Sequence, residues 1–519
     1  MSHETNAAVA EIDSAETEID SAEAEAIQSE SAREEQTEPK PIAVEPGAPK
    51  DQPAEPVNQF AKVGLENNLT EGGVFRKMIM FALPFLASNL IQSFYNVADM
   101  LIVGNFSGPA AMSGVNIGGQ VTFILTVVVI GLCVGATVLI GQYIGANNRK
   151  GLKDVTSTII TVLLLLGAGI TIGVLFAIDP LLRLIRTPAE SYAQSRSYLT
   201  VTVTGITFIF GYNALSAILR GMGDSKHPLW FVAAACVTNI ILDLLFVAVF
   251  KWAAFGAALA TVISQAMSVV LCVAFMKRHN FQFDFKLKSY RIDRRQLRLI
   301  FRIGLPTCVA NTVTSLSFLF VTTIVNIVGG VVGSAAVGAV GKFNSFAFMP
   351  TQAMAASVST MAAQNMGANR LDRAIHATVL GTLFSMAVTY MFFIMLRVRP
   401  EWAVTLFSRE PDVIAAGVAY VNMFSYDLLV IPIIFNVVSL FVGGGHTVFA
   451  MVNNLLSSVL LRVPACYLFA VRFNMGMDGV GLGAPVASAG TLLVIIIFLM
   501  TGRWRINVLK DSAAAYETT

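Results

Sequence analysis

The sequence predicts an all-α polytopic membrane protein: twelve transmembrane helices in two six-helix lobes, related by a pseudo-two-fold axis along the membrane normal. Three observations predict it. Of 519 residues, 55% are hydrophobic and only 13% charged, with a mean hydropathy of +0.67, a balance that excludes a soluble fold of this size. Apolar runs long enough to cross the roughly 30 Å hydrocarbon core recur about twelve times between residues 77 and 501. Separate landmarks also coincide at one offset of 222 residues: Leu83-Pro84 with Leu305-Pro306, Asn89 with Asn311, QYIGAN (142–147) with QNMGAN (364–369), and Gly221/Gly223 with Gly443/Gly445.

Taken in order, residues 1–72 read as an acidic, Pro-rich disordered tail. The first 56 residues hold 15 acidic and 3 basic side chains, a net −12, so the overall +2 leaves +14 for the remainder. With almost nothing apolar to bury, such a segment stays solvated, and without an apolar run it is no signal peptide. The N-terminal lobe is expected over 73–278, with spans centred near residues 90, 127, 165, 208, 240 and 266. A basic linker over 279–298 follows, and the C-terminal lobe over 299–502 has spans centred near 313, 349, 385, 427, 458 and 490. Residues 503–519 form a C-terminal tail.

The basic loops alternate. Arg76 and Lys77, the loop 147–154, Arg220 with Lys226, the stretch from Lys277 to Arg302, Arg370 with Arg373, and Arg503 with Arg505 fall on one side, which the positive-inside rule makes cytoplasmic. Both termini are therefore expected in the cytoplasm, and the protein in the cell (plasma or inner) membrane. Cys133, Cys236, Cys272, Cys308 and Cys466 all lie inside spans, with no metal or disulfide spacing. Because six is even, both copies have the same topology, and parallel repeats of this kind are a transporter design.

Chemistry concentrates where polar groups survive in lipid. Asp99, Asp243 and Asp427 are the central acidic residues of the spans, and each costs about 2.5–3.5 kcal/mol to insert when charged. On the first span Asn89, Gln92, Asn96 and Asp99 form a polar stripe at helical spacing. On the fifth, Asn239 and Asp243 lie one turn apart. Asn213 and Thr261 add an amide and a hydroxyl from the fourth and sixth spans. Two carboxylates, amide oxygens and a hydroxyl suit either Na+ or a shared proton. At the duplicate positions Asp99 becomes Val321, Asn96 becomes Phe318 and Asp243 becomes Ala465, so the architecture itself does not require the polar groups. The second lobe instead offers Asp427 and Arg462, read as a buried brace rather than an ion site.

Together LPFLASNLIQSFYNVADMLIVG, GQYIGANNRKG, LRGMGDSKHP, NIILD and GAALATVISQ resemble the multidrug and toxic compound extrusion (MATE) transporters, in the branch whose ion site lies in the N-terminal lobe. The resemblance spans about residues 70–500. It implies export of organic, often cationic, compounds in exchange for Na+ or H+, with Asp99, Asn213, Asn239, Asp243 and Thr261 at the family's coupling positions. Branches that use an acidic residue on the seventh helix find none here between Gly304 and Val328. The expected partners are a small organic substrate, the coupling cation and membrane lipid, with no nucleic acid, no cofactor and a monomeric state.

Two other readings compete with this one. A flippase or exporter of lipid-linked or other metabolites would share the two-lobe design, but a pyrophosphate head calls for a cationic cavity. An intramembrane aspartyl protease is suggested by GMGD (221–224) and YD (426–427), but these occur in reversed order, and glycines in a basic turn more simply end a helix. No Walker A, zinc-protease or Ser-His-Asp pattern supports an enzyme.

Overall fold

The computed structural model of the chain describes residues 68–507, apart from 280 and 282. Nearly all of the expected acidic tail, and residues 508–519 of the C-terminal tail, lie outside the described residues. The described chain is helical from end to end, with no strand, as the bilayer demands of a backbone that must satisfy its own polar groups.

Two helices, Val74–Gly145 and Arg294–Gly367, run to 72 and 74 residues, which at about 1.5 Å per residue is several times the hydrocarbon thickness. Each breaks at one residue. Gly108 has φ 78°, ψ −179° and Gly330 has φ 55°, ψ −145°, conformations that only glycine adopts without strain. The two breaks are themselves 222 residues apart. Pro109 then starts the next helix at the position where a missing N–H costs nothing. A Cβ placed on Gly104 would lie 3.3 Å from Met112 Sδ, so the chain turns back tightly.

The first lobe therefore crosses at 74–107, 109–145, Arg149–Leu184, a fourth span bent by 50° between Ala189–Thr204 and Ile206–Gly221, Lys226–Val249, and Ala253–Arg278. The second crosses at 294–329, 331–367, Leu371–Val398, a tenth span bent by 53° between Pro411–Phe424 and Asp427–Gly443, Thr447–Arg472, and Gly476–Met500. All twelve expected centres fall inside these spans. The seventh span starts at Arg294, so the end of the expected linker is helix, begun by the Asp293 carboxylate accepting from Gln296 N at 2.8 Å.

The fifth span passes into a π-helical turn, Leu244–Val249, directly after Asp243. Its duplicate, the eleventh, has a matching turn at Leu468–Arg472 and an additional one at Leu456–Arg462. Such turns break the regular ladder and cluster at functional positions.

One core gathers around Leu139, Ile159 and Phe210 of the first lobe and takes in Ile300 and Ile303 from the start of the seventh span; the other lies within the second lobe around Val325, Val404, Phe424 and Val480. The lobes meet where the second and eighth spans cross near their basic ends. A Cβ on Gly145 would fall 1.9 Å from Gln364 O, and one on Gly367 would fall 2.2 Å from Gln142 O. The backbones touch there because no side chain intervenes.

Candidate ion-coupling site

Asp99 stands on the first span and Asp243 at the last α-helical turn of the fifth; they are 7% and 0% exposed. Their carboxyls are neighbours that interact directly, yet Asp99 Oδ1 and Asp243 Oδ1 are buried with no donor. Asn239, fully buried one turn before Asp243, is flanked by an acceptor and a donor that fix the sense of its amide: so turned, Nδ2 donates to Asp243 Oδ2 at 2.8 Å and Oδ1 accepts from Thr261 N at 3.2 Å. Thr261 Oγ1 in turn meets Tyr95 Oη at 3.1 Å. One connected network thus joins the first, fifth and sixth spans.

Two ionised carboxylates in contact repel, and more so away from water. A proton shared between them, or Na+ seated among their oxygens and those of Asn239 and Thr261, removes that repulsion. The donorless Oδ1 atoms are where such a cation gains most.

The first span is exposed on two opposite faces. Phe94, Val97 and Leu101 are exposed on one, as lipid contact requires. Gln92 and Asn96 are exposed on the other, with Asn89 partly buried beside them. Exposed amides at membrane depth need water, so this second face borders a polar cavity.

Asn213 is partly buried on the fourth span and donates from Nδ2 to Ile209 O of its own helix at 2.8 Å. That leaves its carbonyl oxygen as the group it offers to neighbours, whereas the other four expected residues form the network directly.

In the second lobe the expected Asp427–Arg462 brace is not formed as an ion pair; among the described residues no contact within 4.0 Å joins the two charges. Asp427 opens the second half of the bent tenth span, the half that runs to the basic end, at the duplicate position of Gly205, and accepts from Ser488 Oγ at 2.5 Å. Its carboxylate is held there by a hydroxyl and by the helix N-terminus. Arg462 instead lies over the Phe318 ring, 4.7 Å from its centroid, with Tyr420 near enough to feel its charge.

Sequence reading missed Tyr95, although it lies one turn before Asp99 on the same side of the helix. It also took Gln142 and Gln364 only as landmarks of duplication. Asp224 of the GMGD segment is a helix-start residue: its carboxylate accepts from Lys226 N at 3.0 Å and His227 N at 3.1 Å, which occupies it structurally.

A profile of the MatE family matches residues 84–245 and 306–468, one copy in each lobe. The probable multidrug resistance protein YoeA of Bacillus subtilis is 32% identical over 81% of this chain and 92% of its own length. The probable multidrug resistance protein YpnP of the same organism is 28% identical over 84% and 97%. Among solved structures, MATE in the bent conformation superposes with a TM-score of 0.79 at 22% identity, covering 88% of this chain and 99% of that one. With two profile copies in register with the two lobes, and relatives aligned over nearly their full lengths, the chain belongs to the MatE family of membrane transporters.

Proposed function

We propose that this protein is a secondary antiporter that exports amphipathic organic compounds, chiefly cations, in exchange for H+ or Na+. Asp99 and Asp243 form its coupling site, completed by Asn239, Thr261 and the Asn213 carbonyl oxygen, and Asn89, Gln92 and Asn96 line the adjoining cavity. The observation that carries this reading is the pair of facing, buried carboxyls with donorless oxygens, in a lobe whose duplicate replaces both by apolar residues. The names of the relatives support drug export as its use. The basic end is cytoplasmic by the positive-inside rule, so both termini lie in the cytoplasm of a monomer in the plasma membrane.

In this structure the basic end is closed. Gln142 Nε2 donates across the lobes to Gly443 O at 2.8 Å, and Gln364 Nε2 to Gly221 O at 3.1 Å. Each bond is worth about 0.5–1.5 kcal/mol. One charge falling through 100 mV releases about 2.3 kcal/mol, so the ion's free energy matches the cost of parting them. A cation entering between Asp99 and Asp243 draws the first and fifth spans together, and it drives transport only by favouring one access state over the other.

The test is ethidium efflux from pump-deficient cells expressing wild type, Asp99→Asn or Asp243→Asn, with and without Na+ and a protonophore. Wild type should export and both variants should reach the membrane yet fail. Collapse by the protonophore alone assigns H+, and dependence on added Na+ assigns Na+. Normal export by both variants would remove the coupling site.

A further inference from the structure

The second lobe carries a charge of the opposite sign at nearly the same place in its own fold. Arg462 is the duplicate of Ile240, one turn before Asp243, and Phe318 is the duplicate of Asn96. Where the first lobe sets amides and carboxyls, the second sets a guanidinium on an aromatic face, 4.7 Å from the ring centroid. The additional π-helical turn of the eleventh span, Leu456–Arg462, ends on this arginine.

The surroundings leave the guanidinium with donors to spare. Tyr420 lies close enough to feel its charge. Arg462 Nε is buried with no acceptor. Asp427, the carboxylate whose charge it feels, lies beyond ion-pair distance and is engaged by Ser488. One turn away a polar ladder ties the seventh and eleventh spans: Thr314 Oγ1 and Ser458 Oγ both donate to Asn454 Oδ1, at 2.8 and 3.1 Å, and Ser317 Oγ donates to Ser458 O. That ladder fixes the backbone from which Arg462 projects. Phe318 is 51% exposed, on the helix face that in the first lobe carries Asn89, Gln92 and Asn96.

A fixed cation in the membrane interior, with an unfilled donor and no carboxylate in contact, is stabilised by any anion that reaches it. A guanidinium's planar fork fits a carboxylate, and its aromatic support suits a flat, apolar body beside that carboxylate. We propose that Arg462, on its Phe318 platform, is the receiving point in the second lobe for the carboxylate of an amphipathic aromatic substrate. The protein would then select for zwitterionic cargo as well as simple cations. This rests on the export reading above and adds to it a residue that discriminates by substrate charge.

The test compares two dyes that differ in one carboxylate: rhodamine B, a zwitterion at neutral pH, and rhodamine B ethyl ester, a cation. Binding to purified full-length protein in nanodiscs is followed by fluorescence anisotropy, for wild type, Arg462→Gln, Arg462→Lys and Phe318→Leu. Arg462→Gln should weaken rhodamine B binding by about tenfold or more and leave the ester within about twofold of wild type. Arg462→Lys should recover part of the loss, because it keeps the charge without the fork. Phe318→Leu, which leaves the arginine in place, should weaken rhodamine B selectively and covers the case in which Arg462→Gln fails to fold. Equal effects on both dyes, or on neither, would overturn the assignment. Wild type that binds neither dye would also overturn the assignment, while ethidium efflux by the same protein decides the export reading separately, so the two failures are told apart.

Discussion

Gln142 and Gln364 are the same residue in two copies of one lobe, and each reaches across to a glycine carbonyl of the other copy, Gly443 and Gly221 respectively. The two bonds are related by the pseudo-two-fold axis, and both must break for the basic end to open. Replacing both glutamines by alanine removes about 1–3 kcal/mol from the closed state, which raises the open-to-closed ratio by a factor of about 5 to 150. Spin labels at Lys150 and Asp372, exposed duplicate positions beside the crossing, should show a longer-distance component in the double variant on a cysteine-free background. An unchanged distance distribution would mean that the glutamines do not hold the lobes.

Asp99→Asn and Asp243→Asn should separate stability from transport. Each substitution replaces a buried carboxyl by a neutral amide of the same shape, which relieves carboxylate repulsion and desolvation. The melting temperature in detergent is expected to stay level or rise while ethidium efflux falls to background. A marked fall in melting temperature would make the pair a structural element instead.

Gly108→Ala should be costly and Gly119→Ala should not. Both positions leave room for a methyl group, with nothing within 4 Å of the added Cβ. They differ in backbone: Gly108 sits at φ 78° in the break of the first long helix, whereas Gly119 lies in the second span. The strain at Gly108 is about 1–3 kcal/mol, against a gain of up to about 1 kcal/mol at Gly119 from helix propensity. Paired thermal unfolding curves decide it, and equal midpoints would show that the break tolerates a side chain.

Residues 69–71, just before the first span, are strapped to the second lobe. Leu69 N donates to Gln364 Oε1 at 3.2 Å; Arg373 donates to Leu69 O at 3.2 Å and to Glu71 O at 2.8 Å; Arg370 donates to Thr70 O at 2.8 Å. Because Gln364 also belongs to the lobe crossing, strap and crossing share a residue. Arg373→Gln should accelerate amide exchange at residues 69–71 by about tenfold, with little change inside the first span. Unaltered exchange would show that the apolar anchor, fully buried Leu69, suffices alone.

Much of this was legible from sequence, for physical reasons that differ by element. The spans were readable because lipid admits only helices of a set length. Asp99, Asn239, Asp243 and Thr261 were readable because polar groups are rare in lipid, and the second copy showed which of them the architecture could do without. The breaks at Gly108 and Gly330 were hidden, since many glycines fill these segments and only backbone dihedrals single out two. The partners of Gln142 and Gln364 were hidden too, because a carbonyl oxygen has no letter in the sequence. For Asp427 and Arg462, opposite signs suggested a pair, but Ser488, 61 residues away, reaches the carboxylate, and Phe318, which sequence comparison marks only as a loss of polarity, supports the cation.

The single-residue reversal at Gly108 leaves no slack between Asp99 and Gln142. From that pivot the second span runs 37 residues, about 55 Å, to the crossing at the far end of the molecule. A small tilt at the carboxyls, such as the proposed coupling cation would impose, would therefore be magnified along a stiff arm rather than absorbed by a loop. The repeated pivot at Gly330 gives the other lobe an arm of the same reach, so both halves of the seal can swing on two hinges that are each one glycine wide.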